Sequence, residues 1–67
     1  MVNLIVSNIS KIRQEKGYSI RQLAYKTGIS KSTIFRLENN QTKLYLELLE
    51  KISKALDCNL KDLFDII

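Results

Sequence analysis

Among 67 residues there is no histidine, no proline, one cysteine and two glycines, and each shortage narrows the possibilities. Without His, and with only the thiol of Cys58, the chain cannot build a four-ligand zinc site. The lone cysteine also excludes an intrachain disulfide and suits a reducing cytoplasm. Gly17 and Gly28 make no phosphate-cradling loop, and no paired-carboxylate cleft is legible, so no enzyme activity, metal or cofactor is expected. No apolar run approaches the ~18 residues that span a bilayer. Residues 1–6 are apolar but lack a basic start and meet Asn8 and Ser10 at once, so neither a signal peptide nor a membrane role is expected. With no proline, repeat or low-complexity linker, residues 1–67 read as one domain. A chain this short buries only about 60% of its unfolded surface. Compact helix packing, a dimer, or both must then supply its stability.

The net charge of +4 is unevenly placed. Residues 1–43 carry eight Lys/Arg against two Glu, a balance of +6, whereas residues 44–67 carry three Lys against five acids, a balance of −2. The basic part can meet a polyanion, although a solvated basic surface would have the same composition. The acidic, apolar tail is a different surface with a different job.

Helical periodicity dominates what is present. Ile5, Ile9 and Ile12 share a stripe, which predicts a first helix over 3–16, ended by Gly17. Ser19 and Gln22 form a capping-box pair before a second helix over 20–26, closed by Gly28, with Tyr18 and Leu23 as a hydrophobic staple. Ser30 caps a third helix running to about Asn39, with Ile29 and Ile34 as its staple. The polar run Asn39, Asn40, Gln41, Thr42 is a loop. A fourth helix is expected over 45–56. Asn59 with Asp62, and Cys58 with Leu63, predict a short fifth helix to about Asp65. The expected fold is all-α, a compact five-helix bundle.

Helix two, the turn through Gly28, Ile29 and Ser30, and helix three make a helix-turn-helix. Gly28 supplies the positive φ of the bend, and Ala24 the small side chain where the helices cross. Paired helices are common in purely structural roles, so the topology alone does not specify DNA. The faces of helix three add to it. At 100° per residue, Ile34 and Leu37 point inward, while Ser32, Arg36 and Asn39 point outward and Lys31 and Phe35 border one flank. That outer face holds hydroxyls, an amide and cations but no acid, and these groups read base edges and phosphates. An ordinary solvated face would usually mix signs. Arg13 lies beside the Ile9 stripe and Glu38 beside Ile34 and Leu37, both near apolar surface. A half-buried charge needs a partner, which pairs them; the alternative is two unrelated surface charges.

The residues from Ile9 to Phe64 resemble the Cro/repressor, or xenobiotic-response-element-like, family of helix-turn-helix regulators, whose fold is lambda-repressor-like. The resemblance rests on Ile12 and Arg13; Lys16, Gly17, Tyr18 and Ser19; Gln22, Leu23 and Ala24; Thr27, Gly28, Ile29 and Ser30; Ser32, Thr33 and Ile34; Leu37, Glu38 and Asn39; Ser53, Lys54, Ala55 and Leu56; and Leu60, Lys61, Asp62 and Leu63, in this order and spacing. It implies that Lys31, Ser32 and Arg36 read bases, that Thr33, Asn39 and Lys43 touch phosphates, and that Arg13 and Glu38 bridge the first and third helices. It also implies two-fold dimers through the C-terminal region.

Three positions depart from the family pattern. Ile20 stands where a phosphate-placing Gln is common, so anchoring there passes to Arg21 or is weaker. Leu44 and Tyr45 replace a Pro and a cap before helix four, which could instead begin earlier, capped by Thr42. Asn40 replaces a loop Gly and can still adopt a left-handed conformation. Helix four is apolar over half its circumference: Leu46, Leu49, Ser53 and Leu56 share a face, widened by Tyr45 and Ile52 and extended by Leu48 and Ala55. With Phe64, Ile66 and Ile67 it leaves apolar surface exposed in a monomer, which makes Leu48, Phe64, Ile66 and Ile67 candidates for a homodimer interface. The alternative is that the terminal residues fold back onto the core, against Val2 and Leu4. The leading function is a transcriptional regulator, a repressor or autoregulator, that binds an inverted-repeat DNA operator as a homodimer. The alternative is a protein-interaction module, an antitoxin or an antagonist of another regulator. The capped multi-helix layout argues against a membrane-active peptide. No ligand domain is attached, so control by concentration or by a protein partner is expected.

Overall fold

The computed structural model describes residues 5–67, and short helices carry its architecture. A strand β1 (Ile5–Ser7) leads into α1 (Ile9–Glu15), α2 (Ile20–Thr27), α3 (Lys31–Glu38) and α4 (Leu46–Leu56). A 3-10 turn (Leu60–Leu63) and a strand β2 (Phe64–Ile66) complete the chain. Ser19 Oγ accepts from the Gln22 N–H at 3.0 Å and Gln22 Oε1 from the Ser19 N–H at 2.8 Å, which fixes where α2 starts. Ser30 Oγ accepts from the Thr33 N–H at 3.2 Å and starts α3. Between them Gly28 adopts φ +74° and its N–H reaches the Ala24 carbonyl at 2.9 Å. The Thr27 hydroxyl donates to the Leu23 carbonyl at 2.8 Å and accepts from the Ile29 N–H at 3.2 Å, stitching both sides of this turn together.

Every helix sends apolar side chains to one core. Ile9, Leu23, Ile34, Leu37, Ile52, Leu56 and Leu63 are fully buried, with Ile29 and Leu49 nearly so. Complete burial of a Leu or Ile contributes about 1.5–3 kcal/mol, so these residues from all four helices and the 3-10 turn hold the fold. On α4 the inward face is centred on Leu49, Ile52 and Leu56, while Leu46 stays exposed.

The expected five-helix, all-α bundle is corrected to four α-helices, a 3-10 turn and a small antiparallel sheet. Helix one begins at Ile9 rather than residue 3. Ser7 Oγ accepts from the Ile9 N–H at 3.2 Å, the Asn8 N–H donates to the Leu63 carbonyl at 2.8 Å, and Ile5 and Val6 are extended. The expected fifth helix stops at Leu63, and Phe64, Asp65 and Ile66 pair with β1 in the register Ile5↔Ile66, Val6↔Asp65, Ser7↔Phe64. β-Branched residues at both ends of the chain favour this pairing. The Asn8 amide holds it by donating to Asp65 Oδ2 at 2.9 Å. The terminal residues thus do fold back, but onto Ile5–Ser7; Val2 and Leu4, the partners expected for them, lie outside the described residues. Helix four starts at Leu46 from Tyr45, with no side-chain cap, so Thr42 does not play that part. Helix four ends at Leu56 as expected, and Asp57 closes it in the left-handed region at φ +53°, a role that sequence reading did not assign.

Candidate nucleic-acid interface

The turn at Gly28 sets α3 across α2, and a buried ion pair holds α3 against α1. Arg13 Nε donates to Glu38 Oε2 at 2.6 Å and its Nη2 donates to Oε1 at 3.2 Å, a two-point contact between side chains only 11% and 4% exposed. Arg13 Nη1 also donates to the Tyr18 carbonyl at 2.8 Å, so one guanidinium ties together α1, the α1–α2 turn and α3. Glu38 is the sole acid of α3, and this pair consumes it. The exposed face of the helix is therefore cationic and hydroxyl-bearing, with no carboxylate to repel an anion.

Lys31, Ser32 and Arg36 are exposed and line one shallow depression with Ile20, Phe35 and Gln41. Among the described residues, Arg13–Glu38 is the only ion pair, and the Lys31, Ser32 and Arg36 side chains form no hydrogen bond. Their donors are thus available to a ligand. The loop after α3 turns back at Asn40, φ +58°, so that the Gln41 N–H donates to the Arg36 carbonyl at 2.9 Å and Gln41 joins the face. Asn40 Oδ1 accepts from the Ser7 N–H at 2.9 Å, anchoring this loop to β1. Sequence reading placed Phe35 at the border of this face without a role, and did not bring Gln41 or Ile20 into the site. The one sequence signal that could have found Gln41 is Asn40 itself, a residue able to take the left-handed conformation that turns the loop back.

The remaining sequence candidates do not line this depression. Thr33 is half-buried at the start of α3; the Ser30 hydroxyl donates to its Oγ1 at 2.8 Å, leaving the Thr33 proton to donate outward. Asn39 spends one amide hydrogen on the Phe35 carbonyl at 2.8 Å and keeps the other. Lys43 is exposed in the loop before α4. Arg21 is exposed on α2 but lines a separate groove with Tyr18, Gln22, Tyr25 and Lys26, where the Lys26 ammonium stands 4.7 Å from the Tyr18 ring centre. The dimer candidates divide. Leu48 and Phe64 are half-buried against the core, whereas Ile66 and Ile67 are 62% and 74% exposed. Ile5, paired across the sheet with Ile66 and so on its face, is exposed too. Cys58 lines a different depression, where burial and then the Asp62 charge push its thiol up, against the opposing pull of Lys16.

Two short capped helices joined through a left-handed glycine, the second presenting an acid-free outer face, define a helix-turn-helix domain. Residues 8–67 match the profile of the Cro/C1-type helix-turn-helix DNA-binding domain, and the chain belongs to that family. It is 41% identical over 63 residues to the HTH-type transcriptional regulator SinR of Bacillus subtilis (strain 168), covering 92% of this chain and 57% of SinR. The chain thus spans little more than half the length of that relative. The crystal structure of SinR in complex with DNA has a TM-score of 0.75 at 40% identity, over 81% of this chain and 87% of that one. The SinR–SinI protein complex gives 0.76 at 41%, over 82% and 54%. A Bacteroides fragilis protein gives 0.85 at 27% identity, over 92% of this chain and all of that one. No helix among the described residues is long and apolar enough to cross a membrane.

Proposed function

We propose that this chain is a sequence-specific transcriptional regulator that places α3 in the major groove of duplex DNA. The observation that carries the reading is the outer face of α3, where Lys31, Ser32 and Arg36 converge with unengaged donors while the helix's only acid is neutralised by Arg13. Family membership and the likeness to SinR, which has been crystallised on DNA, support it. In this reading Arg36, mid-helix, grips a guanine at two atoms, and Lys31 and Ser32 meet bases near the helix start. Arg21, Thr33, Asn39 and Lys43 hold phosphates and set the register. Two copies joined through Ile66, Ile67 and neighbouring apolar residues read an inverted repeat, and repression or autoregulation follows from occupying a promoter. The exposed Ile66 and Ile67 favour a second reading, a module that pairs with another regulator. SinR's own complex with SinI is a precedent for such pairing.

Salt dependence separates the two. Phosphate contacts release condensed counterions, so affinity for a duplex should fall steeply as salt rises. Lys43→Ala should weaken all sequences alike and lower that slope, whereas Arg36→Ala should cost about 1–3 kcal/mol on the preferred site and relax preference at one base pair per half-site. Titrations over a salt series and binding to a randomised duplex library measure both. A flat salt response, or a preferred sequence unchanged in Arg36→Ala, rejects this assignment.

A further inference from the structure

Phe35 is half exposed at the border of a helix face otherwise made of donors. It is not among the side chains that pack on the core, a position filled on α3 by Ile34 and Leu37. Its neighbour across the depression is Ile20, at the start of α2, which rests on the core and is itself half-buried. Two apolar side chains from two helices thus line the same depression as Lys31, Ser32, Arg36 and Gln41. A purely phosphate-binding surface has no use for such a pair, and a purely apolar partner would have none for the two cations. The major-groove floor offers the matching combination. Its apolar group is the C5-methyl of thymine, set beside the O4 acceptor of the same base and the acceptors of neighbouring guanines, with phosphates on either side.

We propose that Phe35, which shares its depression with Ile20, is a specificity-determining residue that packs on the C5-methyl of one thymine in each half-site, close to the base gripped by Arg36. This rests on α3 being the reading helix, and the test keeps the two questions apart. The duplex preferred by the full chain is first selected from a randomised library. Each thymine is then replaced singly by deoxyuridine, which deletes the methyl and leaves pairing and O4 intact. One thymine per half-site should lose about fourfold in affinity, the equivalent of ~0.8 kcal/mol for one buried methyl group. The other thymines should lose little. In Phe35→Ala that sensitivity should vanish while the guanine preference attributed to Arg36 persists. Because Phe35 lies outside the core, the variant should keep its far-UV circular dichroism, and the scan on the unmodified chain needs no variant at all. A uniform deoxyuridine response on a tightly bound duplex overturns this proposal and leaves the DNA-reading function standing. An unchanged penalty in Phe35→Ala also overturns it. A chain that selects no duplex overturns both, before any deoxyuridine is introduced.

Discussion

At the scale of single residues, Arg13 has the most to hold. Its guanidinium satisfies both oxygens of Glu38 and the Tyr18 carbonyl, so three segments depend on one side chain. Removing either partner leaves a charge in a site that excludes water, at a cost of about 3–5 kcal/mol for a deeply buried pair. The two truncations should differ. Arg13→Ala strands Glu38, 4% exposed, and deprives the Tyr18 carbonyl of its donor. Glu38→Ala leaves Arg13 with Tyr18 and with slightly more access to water. Arg13→Ala should therefore be the more destabilising, and the double variant should be milder than the two combined. Denaturant melts of the three variants, run at low temperature because small domains have little stability to spare, measure this. Additive losses would mean that the two side chains act independently despite their contact.

At the scale of elements, turn chemistry governs α2 and α3. Gly28 occupies φ +74°, yet a Cβ built there would meet nothing within 4 Å. Gly28→Ala should therefore cost only the left-handed backbone penalty, about 1–2 kcal/mol, and Gly28→Asn less, because Asn tolerates that region. Chemical denaturation of both variants tests this; a much larger loss would imply a steric contact that the turn does not have. The starts of α2 and α3 were legible because Ser19, Gln22 and Ser30 act within one helical turn of themselves. The inward and outward sides of α3 were legible for the same reason, since a period of 3.6 fixes them. The sheet was not. Ile5 and Ile66 are cross-strand partners from opposite ends of the chain, and a short apolar run such as Ile5, Val6 fits either a helix or a strand until its partner is known. The same limit hid Ile20 and Gln41, which join the α3 face only after α2, α3 and the following loop have packed. That Lys31, Ser32 and Arg36 share an exposed side, with Phe35 at its border, was legible without that step because all four lie on one helix.

At the scale of the whole molecule, the limiting quantity is reach. Helix α3 has eight residues, about 12 Å at 1.5 Å each, while successive major grooves on one side of a duplex are about 34 Å apart. One copy therefore reads one groove segment, and the inverted repeat proposed above would engage two copies. The short sheet can join them. It presents Ile66 and, across the register, Ile5 to solvent, with Ile67 beyond, and both strands have an unpaired edge among the described residues. Phe64 is a poorer target for testing this, because it packs against the core and its loss would disturb the fold. Ile66→Asp combined with Ile67→Asp removes exposed apolar surface and sets like charges against each other across a two-fold axis. Sedimentation at micromolar concentration should find dimers of the unmodified chain and monomers of this variant. The variant should bind an inverted repeat far more weakly while keeping the affinity of the unmodified chain for an isolated half-site. A monomeric unmodified chain, or a variant whose affinity for the inverted repeat is unchanged, would place the self-association surface elsewhere or remove it altogether.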